Sequence, residues 1–281
     1  MTRTVVWAAL ALLVAAPHAS AQQRPLRTED PETIGAGRIL IEGGVDYLRS
    51  QQYPVSGLEG HLWRFPTLGV SFGVSPIAEI QIDGGLINRL NITSMTAAPL
   101  SGLVDVTGDT TTDIQDFVIG TKVRLLSESY RRPAFAIRVA TKLPNASNES
   151  GLGLDTIDFF ATGILGKTVQ SIRIVGNIGL GILADPTVGH RSNDVLTYGV
   201  SLARAITDRA ELVGELSGRL STQNGAAFPG TETSGLLNLG ARYTTGSFRI
   251  DGAMLVGLNP TDPTYGVTGG FTYVFNAFEI Y

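Results

Sequence analysis

The strongest constraint on this chain is an alternation of apolar and polar residues at every second position, which returns in about twelve segments of roughly ten residues or more. A period of two puts successive side chains on opposite faces of a strand. In the first segment Ile39, Ile41, Gly43, Val45 and Tyr47 oppose Arg38, Glu42, Gly44 and Asp46. The third sets Ile80, Ile82 and Leu86 against Glu79, Gln81 and Asp83, and the fourth sets Phe117, Ile119, Val123 and Leu125 against Asp116, Lys122 and Arg124. Phe135, Ile137, Val139 and Leu143 then oppose Arg138 and Lys142, and Ile172, Ile174, Ile178, Leu180 and Ile182 oppose Arg173 and Asn177. Further on, Leu212, Leu216 and Leu220 face away from Glu211, Glu215 and Arg219, and Leu237, Leu239 and Tyr243 from Asn238 and Arg242. Phe248, Ile250, Met254 and Val256 oppose Arg249 and Asp251, and Val267, Phe271, Tyr273 and Phe275 form the last apolar row. Three segments are less regular: 61–74 contains Pro66, 157–168 has Phe159 and Phe160 on opposite faces, and 196–206 carries Arg204 on its apolar parity.

Alternation alone does not say which face meets water, because a soluble sandwich and a membrane barrel share the same period. Three features favour the barrel. The polar parity mixes Gly, Ala, Ser and Thr with charges of both signs, which suits a confined wet lumen. Aromatics such as Tyr47, Phe72, Phe117, Tyr198, Tyr243, Phe248, Tyr273 and Phe275 fall on the apolar parity near segment ends, where interfacial girdles lie. Connections alternate in length: short turns at 75–76, 127–131, 167–170, 207–209 and 244–246, and longer loops at 49–60, 90–112, 144–155, 183–193, 221–231 and 259–264. Short periplasmic turns and long outer loops produce that rhythm. The expected fold is all-β, a transmembrane antiparallel up-and-down barrel of about twelve strands with both termini on the periplasmic side.

The address agrees. Arg3 and the apolar run 5–16 precede Ala19-Ser20-Ala21, a small-x-small cleavage pattern, so residues 1–21 read as a secretory signal cut after Ala21. Cleavage removes Arg3 and leaves the chain one unit more negative than its net charge of −4. Residues 22–33 read as a short periplasmic segment, too few for a folded plug yet able to dip into the lumen, and 34–281 as the barrel. No later apolar run is long enough to cross a bilayer as a helix. With 43% hydrophobic residues the chain is no disordered polypeptide, and the lack of Cys excludes disulfide scaffolds, thiol catalysis and lipidation at a Cys. The weakly acidic balance gives no footprint for nucleic acid.

Several phrases in order resemble the bacterial outer-membrane transporter family assigned to the meta-pathway of phenol degradation: RTEDPETIGAGRILIEGG at 27–44, VATKLPN at 139–145, GNIGLGI at 176–182, LVGELSGR at 212–219, LGARY at 239–243 and GLNPTDPTYGVTGGFTYVF at 257–275. The resemblance implies an outer-membrane channel for small aromatic or other hydrophobic nutrients, with no cofactor and no catalytic set. The C-terminal aromatic, Tyr281, resembles the strand signal read by barrel-assembly machinery, although Glu279 interrupts its parity.

Chemistry-bearing residues are few. Beyond the signal only His61 and His190 remain, and a rim lipid hydrolase would need His61 with Ser56 or Ser71. Asp105, Asp109, Asp113 and Asp116 surround the second loop without the order of a calcium-binding loop, which makes a solvated acidic loop the better reading. We therefore expect no catalytic, cofactor or metal site. The expected lumen lining is Arg38, Glu42, Asp46, Glu79, Asp83, Asp116, Lys122, Arg124, Arg138, Lys142, Arg173, Glu211, Glu215, Arg219, Arg242, Arg249 and Asp251. Within it, cross-strand pairs should join Glu79 to Lys122 and Arg124, and Glu211 and Glu215 to Arg242. The reading is a monomeric passive channel for a small solute, its partners the bilayer, the assembly machinery and the solute. A rim hydrolase and a structural or adhesin barrel with a shut lumen are the alternatives.

Overall fold

The computed structural model describes residues 24–225 and 227–279; the expected signal and its cleavage point lie outside them. Fourteen strand segments follow in chain order: β1 Arg38–Tyr53, β2 Leu58–Gly73, β3 Ala78–Gly85, β4 Asn88–Met95, β5 Thr110–Asp113, β6 Val118–Leu126, β7 Ala134–Lys142, β8 Asp158–Val169, β9 Ile172–Ala184, β10 Ser192–Ala205, β11 Ala210–Ser221, β12 Ser234–Thr245, β13 Phe248–Gly257 and β14 Tyr265–Asn276. The first part of β2 pairs with β4 and its second part with β3, while β5 pairs with β4 and β6 with β3. Thus β3 with β4, and β5 with β6, are two staves each broken once, and the wall is a closed antiparallel barrel of twelve strands. Closure is completed by β1 against β14, from Arg38↔Asn276 to Arg49↔Tyr265. A closed sheet leaves no unpaired backbone edge, the condition for crossing hydrocarbon with strands.

The wall is inside out relative to a soluble barrel. Ile178 is 63% exposed, Met254 62% and Leu239 61%, whereas Glu79 and Thr272 are 0% exposed and Lys122 1%. Burying ions while exposing leucines is favourable only if hydrocarbon lies outside the wall and polar partners lie within it.

Three neighbouring staves change parity. The β1–β2 register passes from Gly44↔Thr67 to Asp46↔Arg64, so Val45 opposes both Phe65 and Pro66. Beside it the ladder passes from Asp83↔Val118 to Asn88↔Asp113. Three backbone hydrogen bonds carry the wall across: Leu86 N–H to Pro66 O at 3.1 Å, Phe65 N–H to Ile87 O at 2.8 Å and Gln115 N–H to Gly85 O at 2.9 Å. An extra residue flips every side chain beyond it. Below the break Glu79, Gln81 and Lys122 are buried; above it Leu58, Leu62, Asn88, Leu90 and Thr111 are. This explains the irregularity at Pro66.

The outer end departs from the sequence reading in two ways. β1 and β2 run on to Tyr53 and from Leu58, which shrinks the expected 49–60 loop to 54–57. Gly57 turns that hairpin at φ +81, and a Cβ there would lie 2.0 Å from Thr96 O, so a side chain is excluded. The lumen face here is also apolar: Leu48, Leu58, Leu62, Leu90, Leu236 and Leu255 form a buried cluster, with Tyr53, Ile92, Val104 and Leu152 packed on it. Loops fold inward over this cluster, tied by Leu100 N–H to Val55 O at 2.9 Å and Ser56 Oγ to Gly151 O at 2.7 Å. At the other end β14 stops at Asn276, so Glu279 lies beyond the last strand and does not interrupt it.

Candidate functional site

Residues 24–34 run inside the barrel as an irregular strap; Leu26, Thr28, Glu29 and Ile34 are all buried. From β1 it first meets the lower wall, where Ile34 N–H donates to Glu79 Oε2 at 2.8 Å and Glu32 pairs with Arg124. It then crosses to β9, where Asp30 pairs with Arg173 at 2.8 Å and Asn177 Nδ2 donates to Glu29 O at 2.9 Å. The Glu29 carboxylate meets Lys122 at 3.3 Å and Arg138 at 3.4 Å. On β11, Glu215 accepts the N–H groups of Arg27 at 2.8 Å and Thr28 at 2.5 Å. Arg24 donates to Thr67 on β2 at 3.1 Å and Thr268 on β14 at 3.0 Å, and lies 3.5 Å from Asp251. The expected 22–33 segment is described only from residue 24, and its Arg24, Glu29, Asp30 and Glu32, which the sequence reading did not single out, meet partners on the wall.

The seventeen residues expected in the lumen divide by neighbourhood. Glu79 pairs with Lys122 at 3.0 Å, while Arg124 goes to the strap's Glu32 rather than to Glu79. Arg138 Nε donates to Gln81 Oε1 at 2.6 Å and its Nη2 lies 3.3 Å from Asp83. Lys142 bridges Asp116 at 3.2 Å and Asp158 at 2.9 Å. Arg173 adds Glu128, from a lower turn, to Asp30. Glu211 faces Arg242 at 3.9 Å and Arg249 at 4.0 Å, but Glu215 is committed to the strap, Asn238 and Ser217 rather than to Arg242. Arg242 Nε instead donates to Arg24 O at 2.9 Å, and Arg249 Nε to Thr244 Oγ1 at 3.1 Å. Glu42 accepts from Thr272 at 3.0 Å, Asp46 from Thr268 at 2.7 Å, and Arg219 donates to Glu232 O at 2.9 Å. Arg38 is half-buried at the start of β1, opposite Asn276.

Above the strap lies a cavity of about 860 Å³. Its floor includes Arg24, Arg27, Thr28 and Glu29; its sides include Glu42, Asp46, Asp83, Arg138, Lys142 and Arg219; its roof includes Pro54, Thr261 and Pro263. Arg64, on the apolar parity of its irregular segment, lines the cavity because of the parity change, and Phe160, Tyr198 and Leu236 add apolar surface. Asp262 closes one side: burial pushes its carboxyl up, but hydrogen bonds from Ser234, Gly235 and Asn259 prevail and hold it below the ordinary carboxylate value.

No hydrogen bond joins His61 to Ser56 or Ser71 among the described residues. Ser56 Oγ donates to Gly151 O, and His61 Nδ1 accepts from Ser50 N–H at 3.4 Å. Ser71 lies ten residues along β2, about 33 Å away at the rise of a strand, beyond the parity change. In the acidic loop, Asp113 accepts from Ser147 N–H at 2.8 Å and Asp116 from Ala146 N–H at 2.8 Å, both fastening the next loop. Among the described residues no group of three or more His, Cys, Asp or Glu is placed to hold a metal.

No family model and no curated protein matches the chain, so the phenol-degradation resemblance rests on the quoted motifs alone. Among solved structures it is similar to the COG4313 outer membrane channel from Pseudomonas putida F1, with TM-score 0.61 and 12% identity over 88% of this chain and 98% of that one. It is also similar to the NanC porin, with TM-score 0.50 and 9% identity over 86% of this chain and 100% of that one. Such identities speak to the fold, and the apolar belt speaks to the solvent. The chain is a twelve-stranded β-barrel with the apolar outer face of a transmembrane wall.

Proposed function

We propose that this barrel is a passive outer-membrane channel, through which a small solute diffuses down its gradient along a narrow charged lumen. The observation that carries the reading is the cavity of about 860 Å³, lined by both signs of charge and enclosed by a wall whose outer face is apolar. Paired ions leave the path close to neutral, so they orient a polar solute without trapping it. A twelve-stranded barrel is narrower than a sixteen-stranded porin, and inward side chains narrow it further, so large solutes are excluded.

Within that reading the solute is a small aromatic or similarly amphipathic nutrient. Support comes from Phe160, Tyr198 and Leu236 beside Arg64, Arg138 and Arg219 in the same cavity, and from the family resemblance. An aromatic carboxylate would find ring contacts and guanidinium donors together.

Liposome swelling with sized sugars and aromatic acids tests this. The expected result is influx of arabinose and benzoate well above that of empty liposomes and no influx of a trisaccharide. Influx equal to that of empty liposomes for every probe, from folded protein, would favour the shut structural barrel, a reading supported by the strap and loops that occupy both ends of the lumen. Phospholipid hydrolysis that disappears in His61→Ala would restore the enzyme reading.

A further inference from the structure

We infer that residues 24–34 are a displaceable strap that closes the periplasmic end of the solute path, an inference that rests on the channel reading above. The two ends of the lumen are closed by different chemistry. At the outer end the loops are fastened at both ends to strands and sit on a leucine cluster, an apolar contact that costs free energy to open into water. At the lower end the described strap is continuous with a strand only at β1.

Ile34 packs on Leu40 and Val274 at the strap's attached end and Leu26 is buried, but the contacts that hold the rest of the strap across the lumen are polar. Glu32 with Arg124, Asp30 with Arg173, Glu29 with Lys122 and Arg138, and the two N–H groups on Glu215 tie it to β6, β7, β9 and β11, on different sides of the lumen. Ion pairs that separate into a wet lumen exchange one polar partner for another, whereas leucines have no such replacement. The strap also forms the cavity floor through Arg24, Arg27, Thr28 and Glu29, so a solute descending from the outer side must pass it. Displacing it joins the cavity to the periplasmic side while the wall stays intact.

The structure offers a lock. Thr28 Cβ lies 3.6 Å from the position a Cβ would take on Gly199 in β10, within the Cβ separation of about 3.5–4.5 Å that a disulfide requires. The chain contains no Cys, so Thr28→Cys with Gly199→Cys creates a single possible bridge. In proteoliposomes, benzoate and arabinose influx through the oxidised double variant should be at least tenfold below that of the same protein after dithiothreitol, with no redox response from Thr28→Cys alone. A chain lacking residues 24–33 should conduct several-fold faster than the parent. Heat-modifiability on gels verifies folding in each case. Equal influx through the oxidised and reduced double variant overturns the strap while leaving the channel standing. If every protein is silent, the shortened one included, the channel reading fails and the strap with it.

Discussion

Lys122 is the most demanding buried charge in the barrel, and replacing it with Met is informative. Its ammonium is 1% exposed, 3.0 Å from Glu79, 3.3 Å from Glu29 and 2.9 Å from the backbone oxygen of Asp30. Met keeps most of the volume and removes the cation, leaving two carboxylates facing one another in the lower lumen. Removing one partner of a buried pair costs about 3–5 kcal/mol. The lower end applies here, because Arg138 and Gln81 stay on Glu29 and the Ile34 N–H stays on Glu79. About 3 kcal/mol is roughly a hundredfold in the folding equilibrium. Urea unfolding in vesicles, followed by the emission of Trp63, reads the change; Trp63 is 46% exposed on the wall, and the other tryptophan, Trp7, lies in the expected signal. Adding Glu79→Gln should recover a large part of the loss, since removing both partners of a buried pair is far cheaper than removing one. A loss within about 0.5 kcal/mol, the range of surface substitutions, or a double variant no more stable than Lys122→Met, would show that the pair is not desolvated and refute the reasoning.

Two adjacent residues of β7 separate the faces. Ile137, 40% exposed on the outer wall, should not tolerate Glu: folding into lipid should fall by a few kcal/mol, whereas Arg138→Glu should fold and shift the reversal potential in a salt gradient. Equal folding yields with unchanged selectivity would contradict the assignment. In the outer loop after β9, Asp185 is held at about 2: burial pushes it up, but hydrogen bonds from Thr187 and the pairing with Arg191 prevail. Because this folded value lies below the ordinary 3.8, the stabilisation is present above the ordinary value and is lost as pH falls through about 2. Amide-exchange protection at Thr187 and Val188, corrected for intrinsic rates, should decline across that window, and Asp185→Asn should lack protection above it. A flat profile would remove the staple.

Much of the wall was legible in the sequence because a strand in lipid repeats its burial every second residue, as Ile137 and Arg138 illustrate. The pattern broke where the backbone added a residue. Pro66 marked an irregularity, but only the paired registers show that β2, the β3–β4 stave and the β5–β6 stave change parity together, bringing Arg64 inward. The outer leucine cluster was missed for a related reason: Leu48, Leu58 and Leu62 face inward under loops whose folding is not periodic. The strap was half legible. Its course into the lumen was allowed for, but none of its charges was singled out: Asp30 finds Arg173 across a separation of 143 residues, and no local rule connects them. Glu215 shows the limit of reading pairs from neighbouring strands. It was expected to pair with Arg242 on the neighbouring strand, but backbone N–H groups of the strap, with Ser217 and Asn238, take its carboxylate instead.

Conduction by a polar lumen through an apolar wall is tested most directly by single-molecule current across a planar bilayer. Purified protein, shown by gels to be folded, should give discrete conductance steps, more frequent in the chain lacking residues 24–33. Silence from both proteins, folded and inserted, would contradict it.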